Sequence, residues 1–393
     1  MPHKLSSADA RCALINYHFS QQNLQSCFEH LGSVQFDPLK PLGCNHDLVL
    51  QARVEGYRVD DWQKLAYQDR FVYDAWDKQA SLVLMQDWPF RRIYHDWHRP
   101  GWEGKVLKVH ARAVQEVLAE LKDRGPLASQ DFNYQEHIEA WEGSWYGPKL
   151  VKNILRALWH TGEILTHHRR KGKHVYDLCE NIVPSELLKQ EKPSAEEACR
   201  WLILKRHQAT GLLSPKASPE VWSLYIAAKE RQKLIEGLVA DGELLAIEIE
   251  GERYHARPDF LSYLDKALET KARLLAPLDP LLWDRKAVLK LFNFDYIWEV
   301  YKPEKDRKWG YYVLPILYQD RFVARLDSRL KDGIWQMYQW HWEEGVSLDA
   351  QLHQEIITAL KHFRHYLAAY DYAFEPHIEP KVKELFDQAF QKI

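Results

Sequence analysis

Gly162-Glu-Ile-Leu-Thr-His-His-Arg-Arg-Lys-Gly-Lys-His-Val-Tyr-Asp177 is the stretch that decides the fold. Apolar and polar residues alternate on both sides of Gly172, which predicts a β-hairpin that turns at this glycine. Three helices are predicted before it: one from about His110 to Arg124, a short one opened by Ser129 or Asp131 after a turn at Gly125-Pro126, and one from Gly147 to Thr161. Three helices followed by a hairpin indicate a winged helix, a relative of the helix-turn-helix.

An internal repeat supports this interpretation. Leu158-Trp-His-Thr-Gly-Glu-Ile-Leu165 is echoed by Leu238-Val-Ala-Asp-Gly-Glu-Leu-Leu245, and both copies lead into a segment with a glycine and then a tyrosine. A further winged-helix module is therefore predicted after the first. The wing of this second copy, Ile247–Arg253, has three acids and one base. We therefore expect it to have a scaffolding role and not to face phosphate.

Beyond Ala276 the pattern changes to the alternation that is typical of strands. Strands are predicted at Tyr311–Leu317, Arg321–Asp327 and Ile334–Trp342, followed by a helix from about Leu348 to Tyr370 and a polar tail. The predicted fold class is α+β, mainly α, with tandem winged-helix modules and a small C-terminal antiparallel β domain. The predicted modules are residues 1–105, 106–190, 191–275 and 276–393.

The predicted N-terminal module, residues 1–105, contains a short run, Gly32-Ser-Val-Gln-Phe-Asp-Pro-Leu39, framed by three predicted helices. Those helices are expected at Ser7–Ile15, from Ser20 to His30 with closure at Gly32, and at Asn45–Val54. Residues 60–104, rich in tryptophan and charge, give no firm assignment.

Within this run, Gln35 and Asp37 are two residues apart, so in an extended chain both point to one side while Phe36 anchors the other. A carboxylate and an amide on one side can hold a water, and the carboxylate can take its proton or stabilise a nearby positive charge. The alternative is structural, because Asp before Pro is common turn chemistry and an Asp that enters a helix is often a cap.

Composition and motifs limit the classes of function. A length of 393 residues predicts two to four domains, and the balance of 46% hydrophobic and 28% charged residues is that of a globular protein. Five scattered cysteines without a Cys-x-x-Cys pair argue for reduced thiols and against zinc. No signal peptide or membrane-spanning run is recognised, so a cytoplasmic protein without membrane contact is expected. The histidines have no His-Glu-x-x-His or comparable spacing, so we expect no metal, and phosphate-loop and dinucleotide motifs are missing, so we expect no nucleotide cofactor.

Positive charge is concentrated in one segment, although the formal net charge of the chain is -3. Residues 149–174 carry seven Lys/Arg and one acid, a local charge of +6. These cations lie on one face of the third predicted helix and on the hairpin, the two elements that winged helices place against DNA. The predicted DNA contacts are Lys149, Lys152, Arg156, His167, His168, Arg169, Arg170, Lys171 and Lys173. The alternative is that the charged helix face and the charged hairpin are only exposed to solvent and do not bind DNA.

Several motifs together resemble the AlkZ/YcaQ family of winged-helix DNA glycosylases over nearly the whole chain. They are Gln35-Phe-Asp37, His46-Asp-Leu48, Trp159-His-Thr-Gly-Glu163, Leu291-Phe-Asn-Phe-Asp-Tyr296 and Trp309-Gly-Tyr-Tyr-Val-Leu-Pro315. The family's catalytic motif is Gln, an apolar residue, then Gln or Asp. Because the last position is Asp37 here, the chain is most similar to the YcaQ branch.

The resemblance implies tandem winged helices that form a concave DNA-binding surface, with Gln35 and Asp37 as the catalytic pair. It also implies excision of N7-alkylated guanine, including unhooking of nitrogen-mustard interstrand crosslinks, and a hairpin inserted towards DNA, which we map to His167–Val175. The expected partner is duplex DNA that carries alkylated or crosslinked guanine, bound by a monomer that is nucleoid-associated in the cytoplasm. No lysine stands out near the motif, so we expect a monofunctional enzyme. A non-catalytic winged-helix transcriptional regulator is the main alternative, and an adaptor in a nuclease or helicase complex is a weaker one.

Overall fold

The computed structural model of the chain describes residues 2–135 and 149–391. The chain forms two compact units. The first combines residues 1–62 with residues 203–393, and the second is the intervening segment, residues 63–202. The four predicted modules and their bounds stay a prediction.

Helices and strands are numbered in chain order. Residues 2–62 contain β1 (His3–Leu5), α1 (Ser7–Phe19), α2 (Leu24–Leu31), β2 (Ser33–Gln35) and α3 (Asn45–Gln51). The middle of the chain contains β3 (Val72–Trp76), β4 (Ala80–Leu84), α4 (Trp88–Trp102), α5 (Ala111–Arg124), β5 (Leu127–Ala128), α6 (Leu150–Thr161), β6 (Ile164–Arg170), β7 (Lys173–Leu178), α7 (Cys179–Ile182), α8 (Ser185–Leu188) and α9 (Ala195–Thr210). The remainder contains β8 (Leu212–Leu213), α10 (Pro219–Trp222), α11 (Ala228–Ala240), β9 (Leu245–Ile249), β10 (Glu252–Ala256), β11 (Ala272–Leu274), α12 (Arg285–Phe292), β12 (Val313–Tyr318), β13 (Arg321–Lys331), β14 (Ile334–Trp342), α13 (Ala350–Leu367), β15 (Asp371–Phe374) and α14 (Pro380–Phe390).

The first helices begin and end at capping residues. The hydroxyl of Ser6 accepts the N–H of Asp9, whose carboxylate accepts the Ser6 N–H, so α1 opens with a capping box. α2 begins at Leu24, four residues later than the predicted helix, because Asn23 is its N-cap. It ends as predicted at Gly32, which adopts a φ of +67° and donates its N–H to the Phe28 carbonyl at 2.8 Å.

The second unit contains the predicted hairpin. β6 and β7 are antiparallel and turn through Lys171 and Gly172, both at positive φ, which is the requirement of a type I′ turn. β5 pairs with β7, so the strand order is β5, β7, β6. Helices α5 and α6 pack on this sheet around a core that includes Val117, Leu121 and Ile154. The short helix predicted to open at Ser129 or Asp131 does not begin there, because residues 129–135 form turns and loop; the rest of that predicted segment lies outside the described residues. The region without a sequence assignment forms the β3–β4 hairpin and α4.

Two sheets build the first unit. In one, β1 pairs parallel with β9, followed by β10 and β8. The C-terminal sheet has the order β11, β12, β13, β14, β15. Its predicted antiparallel strands are present, but the expectation of a purely antiparallel sheet is wrong, because β15 pairs parallel with β14.

The predicted polar tail is also wrong. It contains β15 and α14, and α14 buries an apolar stripe at helical spacing: Val382, Leu385, Phe386 and Ala389. Phe386 packs against Trp335, with ring centroids 4.8 Å apart. In the described part of the chain, no helix has the length and apolar character that a membrane crossing requires.

Candidate active site

The run that carries Gln35 and Asp37 lies between β2 and α3. Gln35 ends the strand and is 5% exposed, whereas Phe36 and Asp37 are half-buried. The Phe36 ring stacks on the imidazole of His46 at a centroid distance of 4.1 Å and an interplanar angle of 13°. It also meets the Trp62 ring edge-on at 6.1 Å. These aromatic contacts fix the run against the start of α3.

Asp37 uses only one of its carboxylate oxygens for local structure. Its Oδ1 accepts the Leu39 N–H at 2.9 Å, which is the turn contact expected of an Asp before a Pro. Within the described residues, Oδ2 has no hydrogen bond or ion pair. Burial raises the pKa of Asp37, and the Leu39 hydrogen bond offsets part of that rise. The turn therefore leaves one acceptor oxygen available in a partly desolvated position.

Gln35 is held through its backbone. Its carbonyl accepts the Asn45 side-chain amide at 2.9 Å, and the Oδ1 of Asn45 accepts the Leu278 N–H at 3.1 Å. The side-chain Oε1 of Gln35 is buried and has no hydrogen-bond partner among residues 2–135 and 149–391. A buried polar atom of this kind normally has a partner, so Oε1 is suited to accept a hydrogen bond from a water or ligand.

The C-terminal sheet adds Tyr312 to this site. The Tyr312 ring is fully buried, and its hydroxyl has no hydrogen-bond partner in the part of the chain that the structure describes. Burial raises the pKa of Tyr312, and the charge of Asp37 raises it further. Asp327 fixes the backbone here, accepting the N–H groups of Tyr311 at 2.6 Å and Tyr312 at 3.0 Å. Tyr312 is therefore a neutral phenol in the electrostatic range of Asp37.

A second buried carboxylate belongs to Asp47, in the first turn of α3. Its Oδ1 accepts the hydroxyl of Tyr57 at 2.6 Å and the N–H of Asp60 at 3.0 Å. Its Oδ2 lies 3.4 Å from Nε2 of His46, the residue on which Phe36 stacks. Burial raises the pKa of Asp47 to about 6. Asp47 therefore positions the surroundings of the run and has partners for both of its oxygens.

Three potential metal ligands occur here, with atoms of Cys44, His46 and Asp47 within 4.8 Å of one another. Burial raises the pKa of the Cys44 thiol to about 11, so the protonated thiol is favoured. A metal would need the thiolate and an available carboxylate oxygen, whereas Asp47 is occupied by Tyr57, Asp60 and His46. We assign no metal to this group, and the expectation of no metal stays a prediction.

The predicted DNA contacts of α6 differ in exposure. Lys149 is the N-cap residue, and its ammonium donates to the side chain of Gln135 at 2.9 Å. Lys152 is exposed. Arg156 is half-buried, and burial lowers its pKa. Lys152 is thus the most accessible of these three cations.

Two of the cations in the β6–β7 hairpin form ion pairs with carboxylates. The Arg169 guanidinium donates to the buried Asp74 carboxylate, at 3.1 Å through Nε, and Arg170 pairs with Asp131. Lys171 and Lys173 are exposed at the turn, and Lys173 is 3.4 Å from the side-chain oxygen of Gln130. The remaining predicted contacts, His167 and His168, are half-buried neighbours whose Nδ1 atoms lie 2.8 Å apart.

The acids of the β9–β10 hairpin, which was predicted to be a scaffolding wing, form contacts within the first unit. Glu248 pairs with Lys4 at 3.4 Å, Glu250 accepts the hydroxyl of Ser7 at 3.2 Å, and Glu252 pairs with Lys290 at 2.6 Å. These contacts join the β9–β10 hairpin to β1, to α1 and to α12.

The predicted site residues are divided between the units. Gln35 and Asp37 lie in the first unit, and the nine predicted DNA contacts lie in residues 149–173 of the second. Sequence reasoning missed Tyr312, Asp47 and Asp327. The only sign of a role for Tyr312 in the sequence is its place in the Trp309–Pro315 motif, because nothing near it in the sequence indicates that it lies close to Asp37.

Comparison with known proteins identifies the family. Residues 28–362 match a family model described as DNA glycosylase AlkZ-like. The fold is similar to the solved structure of the Streptomyces sahachiroi DNA glycosylase AlkZ, with a TM-score of 0.62 and 16% sequence identity over 95% of this chain and 99% of that one. Because the family model spans well over half of the sequence, the chain belongs to the AlkZ-like family of DNA glycosylases, enzymes of DNA repair.

Proposed function

We propose that this DNA glycosylase hydrolyses the N-glycosidic bond of N7-alkylated guanine in duplex DNA, and that it unhooks interstrand crosslinks joined through that atom. One observation carries the proposal: the half-buried Asp37 has an oxygen without a partner among the described residues, two residues from the buried Gln35 amide oxygen, which also lacks one. This pair can hold and activate a water molecule.

The chemistry of the lesion fits a site with a single free carboxylate. Alkylation at N7 makes guanine cationic, so the base leaves without a general acid to protonate it. The sugar then develops the positive charge of an oxocarbenium ion, and a carboxylate stabilises that charge, as in glycoside hydrolysis. Asp37, with its second oxygen available, suits this role.

Burial makes Asp37 more effective in both of its proposed tasks. A carboxylate with a raised pKa is a better base towards water, and a nearby cation is stabilised more strongly where solvent is partly excluded. Gln35 Oε1 accepts a hydrogen bond from the attacking water and so orients it. Tyr312, a neutral phenol whose pKa burial raises further, can donate a hydrogen bond from its hydroxyl to Asp37 or to the same water.

The element order of two segments supports tandem winged helices. The first runs from α5 through β5 and α6 to the β6–β7 hairpin, and the second runs from α9 through β8, α10 and α11 to the β9–β10 hairpin. In both, the short strand pairs with the second strand of the hairpin. We propose that these are tandem winged-helix modules and that the first binds the DNA backbone. Lys152, Lys171 and Lys173 are exposed cations of its α6 and hairpin.

We also propose a monofunctional, monomeric enzyme. A lyase step needs an amine that attacks the sugar. Within the described residues, no lysine forms a hydrogen bond or ion pair with Gln35 or Asp37, and Lys40, the lysine that follows the run, is exposed. The reaction therefore ends with an intact strand and an abasic site.

The test is release of free 7-methylguanine from methylated duplex DNA, with strand integrity and borohydride trapping followed in the same samples. The expected result is base release with uncut strands and no trapped enzyme–DNA adduct. Sequence-specific binding without base release would instead support a regulator, and a trapped adduct would overturn the monofunctional mechanism.

A further inference from the structure

Three cations of the C-terminal domain gather around a surface loop. The guanidinium carbons of Arg307 and Arg329 lie 4.9 Å and 5.2 Å from the ring centroid of Tyr311. The Lys308 ammonium lies 4.3 Å from the centroid of the adjacent Trp309. Lys308 and Arg329 are exposed, and Arg307 and Tyr311 are half-buried. We call Arg307, Lys308, Tyr311 and Arg329 the loop patch.

In the part of the chain that the structure describes, the cations of the loop patch are not neutralised by ion pairs. Within the described residues, none of the three forms a salt bridge, and Arg307 donates only its Nε–H, to the Lys302 carbonyl at 2.9 Å. The charges of both arginines act on Asp327, but the oxygens of that carboxylate accept the N–H groups of Tyr311 and Tyr312. This differs from the hairpin of the second unit, where two arginines are paired with acids.

The backbone that presents the loop patch is fixed. The buried carboxylate of Glu299 accepts the N–H groups of Lys308 at 3.1 Å and Trp309 at 2.7 Å. Gly310 has a φ of +136°, and a Cβ at this position would lie 2.3 Å from a carboxylate oxygen of Asp327. Because the loop is already ordered, binding a ligand here requires little further loss of backbone conformational entropy.

The loop patch adjoins the candidate active site. The N–H of Leu330, next to Arg329, donates to the Pro41 carbonyl at 2.8 Å, and Pro41 is four residues beyond Asp37. On the other side of the patch, Tyr311 is followed by the buried Tyr312, whose pKa the charge of Asp37 raises. Two separate segments of the loop patch are thus next in the chain to residues that border the run with Gln35 and Asp37.

We propose that the loop patch is a second phosphate-binding surface, which holds the DNA backbone beside Asp37. Arginines stacked on an aromatic ring keep their N–H edges available, and those edges match phosphate oxygens. Backbone contacts of this kind position a duplex without reading its sequence. The inference rests on the proposed function, and it gives the C-terminal domain a role in binding the substrate.

The test compares the wild type with the double variant Arg307→Gln/Arg329→Gln in binding to lesion-free duplex DNA across a salt series. Each lost phosphate contact should reduce the slope of log K against log salt by about 0.9, so the double variant should lose roughly 1.8. Lys381→Ala is the matched control, because Lys381 is an exposed cation of the same domain already paired with Glu379 at 3.0 Å. An unchanged slope in the double variant would overturn the proposal.

Two further measurements separate a phosphate contact from a structural role. Arg307→Lys/Arg329→Lys keeps the charge and should restore most of the slope, whereas failure to restore it would indicate a structural role for the stacked arginines. On 7-methylguanine DNA, the glutamine variant should need more enzyme for half-maximal release but reach the wild-type rate at saturation. Because the salt slope is measured without a lesion, failure of base release by the wild type would refute the proposed function and leave the loop patch separately testable.

Discussion

Replacing Asp47 with asparagine should make the folding stability of the protein less dependent on pH. Asp47 is 1% exposed, and burial raises its pKa to about 6. Because the folded state holds this proton more tightly than the unfolded state, the free energy of unfolding of the wild type falls as the pH rises from about 4 through 6. Asparagine cannot ionise, so the variant lacks this contribution.

The magnitude follows from the two pKa values. With about 6 in the folded state and about 3.9 in the unfolded state, ionised Asp47 costs about 1 kcal/mol at pH 4.5 and about 3 kcal/mol at pH 7.5. The stability of Asp47→Asn relative to the wild type should therefore improve by about 2 kcal/mol between these pH values. Asparagine keeps an oxygen at the position that accepts from Tyr57 and Asp60, so these hydrogen bonds persist.

The assay is urea unfolding of both proteins at several pH values, followed by tryptophan fluorescence. Comparing the two proteins at each pH cancels the titration of the buried histidines that do not contact Asp47, such as His18 and His207, which both proteins share. Glu375→Gln, which removes an exposed carboxylate of the same unit, should show no such trend. A stability difference between Asp47→Asn and the wild type that stays constant from pH 4.5 to 7.5 would refute the assignment of a raised pKa to Asp47.

Three more outcomes are expected. Gly310→Ala should lower the free energy of unfolding by at least about 1–3 kcal/mol, and by more than Gly251→Ala, whose Cβ would meet nothing within 4 Å; equal losses in urea unfolding would contradict this. Arg53→Met should cost about 3–5 kcal/mol in the same assay, because it leaves the fully buried Asp279 without its ion-pair partner; a loss below about 1 kcal/mol would count against this. The single-turnover rate of base release should fall as the pH is lowered through the raised pKa of Asp37, and a rate independent of acid would argue against an ionised carboxylate.

Local patterns predicted much of the fold. The hairpin around Gly172 and the helix end at Gly32 depend on glycines at positive φ, and such signals are contained in a few neighbouring residues. The tail was misjudged because its charges hid a stripe of four apolar residues at helical spacing. The parallel pairing of β15 could not be predicted, because the partner of an edge strand is chosen by tertiary packing and not by its own sequence.

The candidate site was predictable only in part. Gln35 and Asp37 could be singled out because they are close in sequence and their chemistry is complementary. Tyr312 could not be connected with them, since the connection exists only once the C-terminal sheet has folded against the run. The ion pair between Arg169 and Asp74 could not be predicted either, because Asp74 lies in a hairpin almost a hundred residues earlier in the chain.

Base release by Asp37→Asn, measured in single turnover on duplex DNA with 7-methylguanine, tests the central claim most directly. The substitution keeps the shape of the side chain and its turn contact to the Leu39 N–H, but it removes the charge. If Asp37 is the catalytic carboxylate, the variant should bind this DNA as tightly as the wild type and release the base slower by roughly a hundredfold or more. Equal rates for the two proteins would contradict the account and leave Asp37 with only its role in the turn.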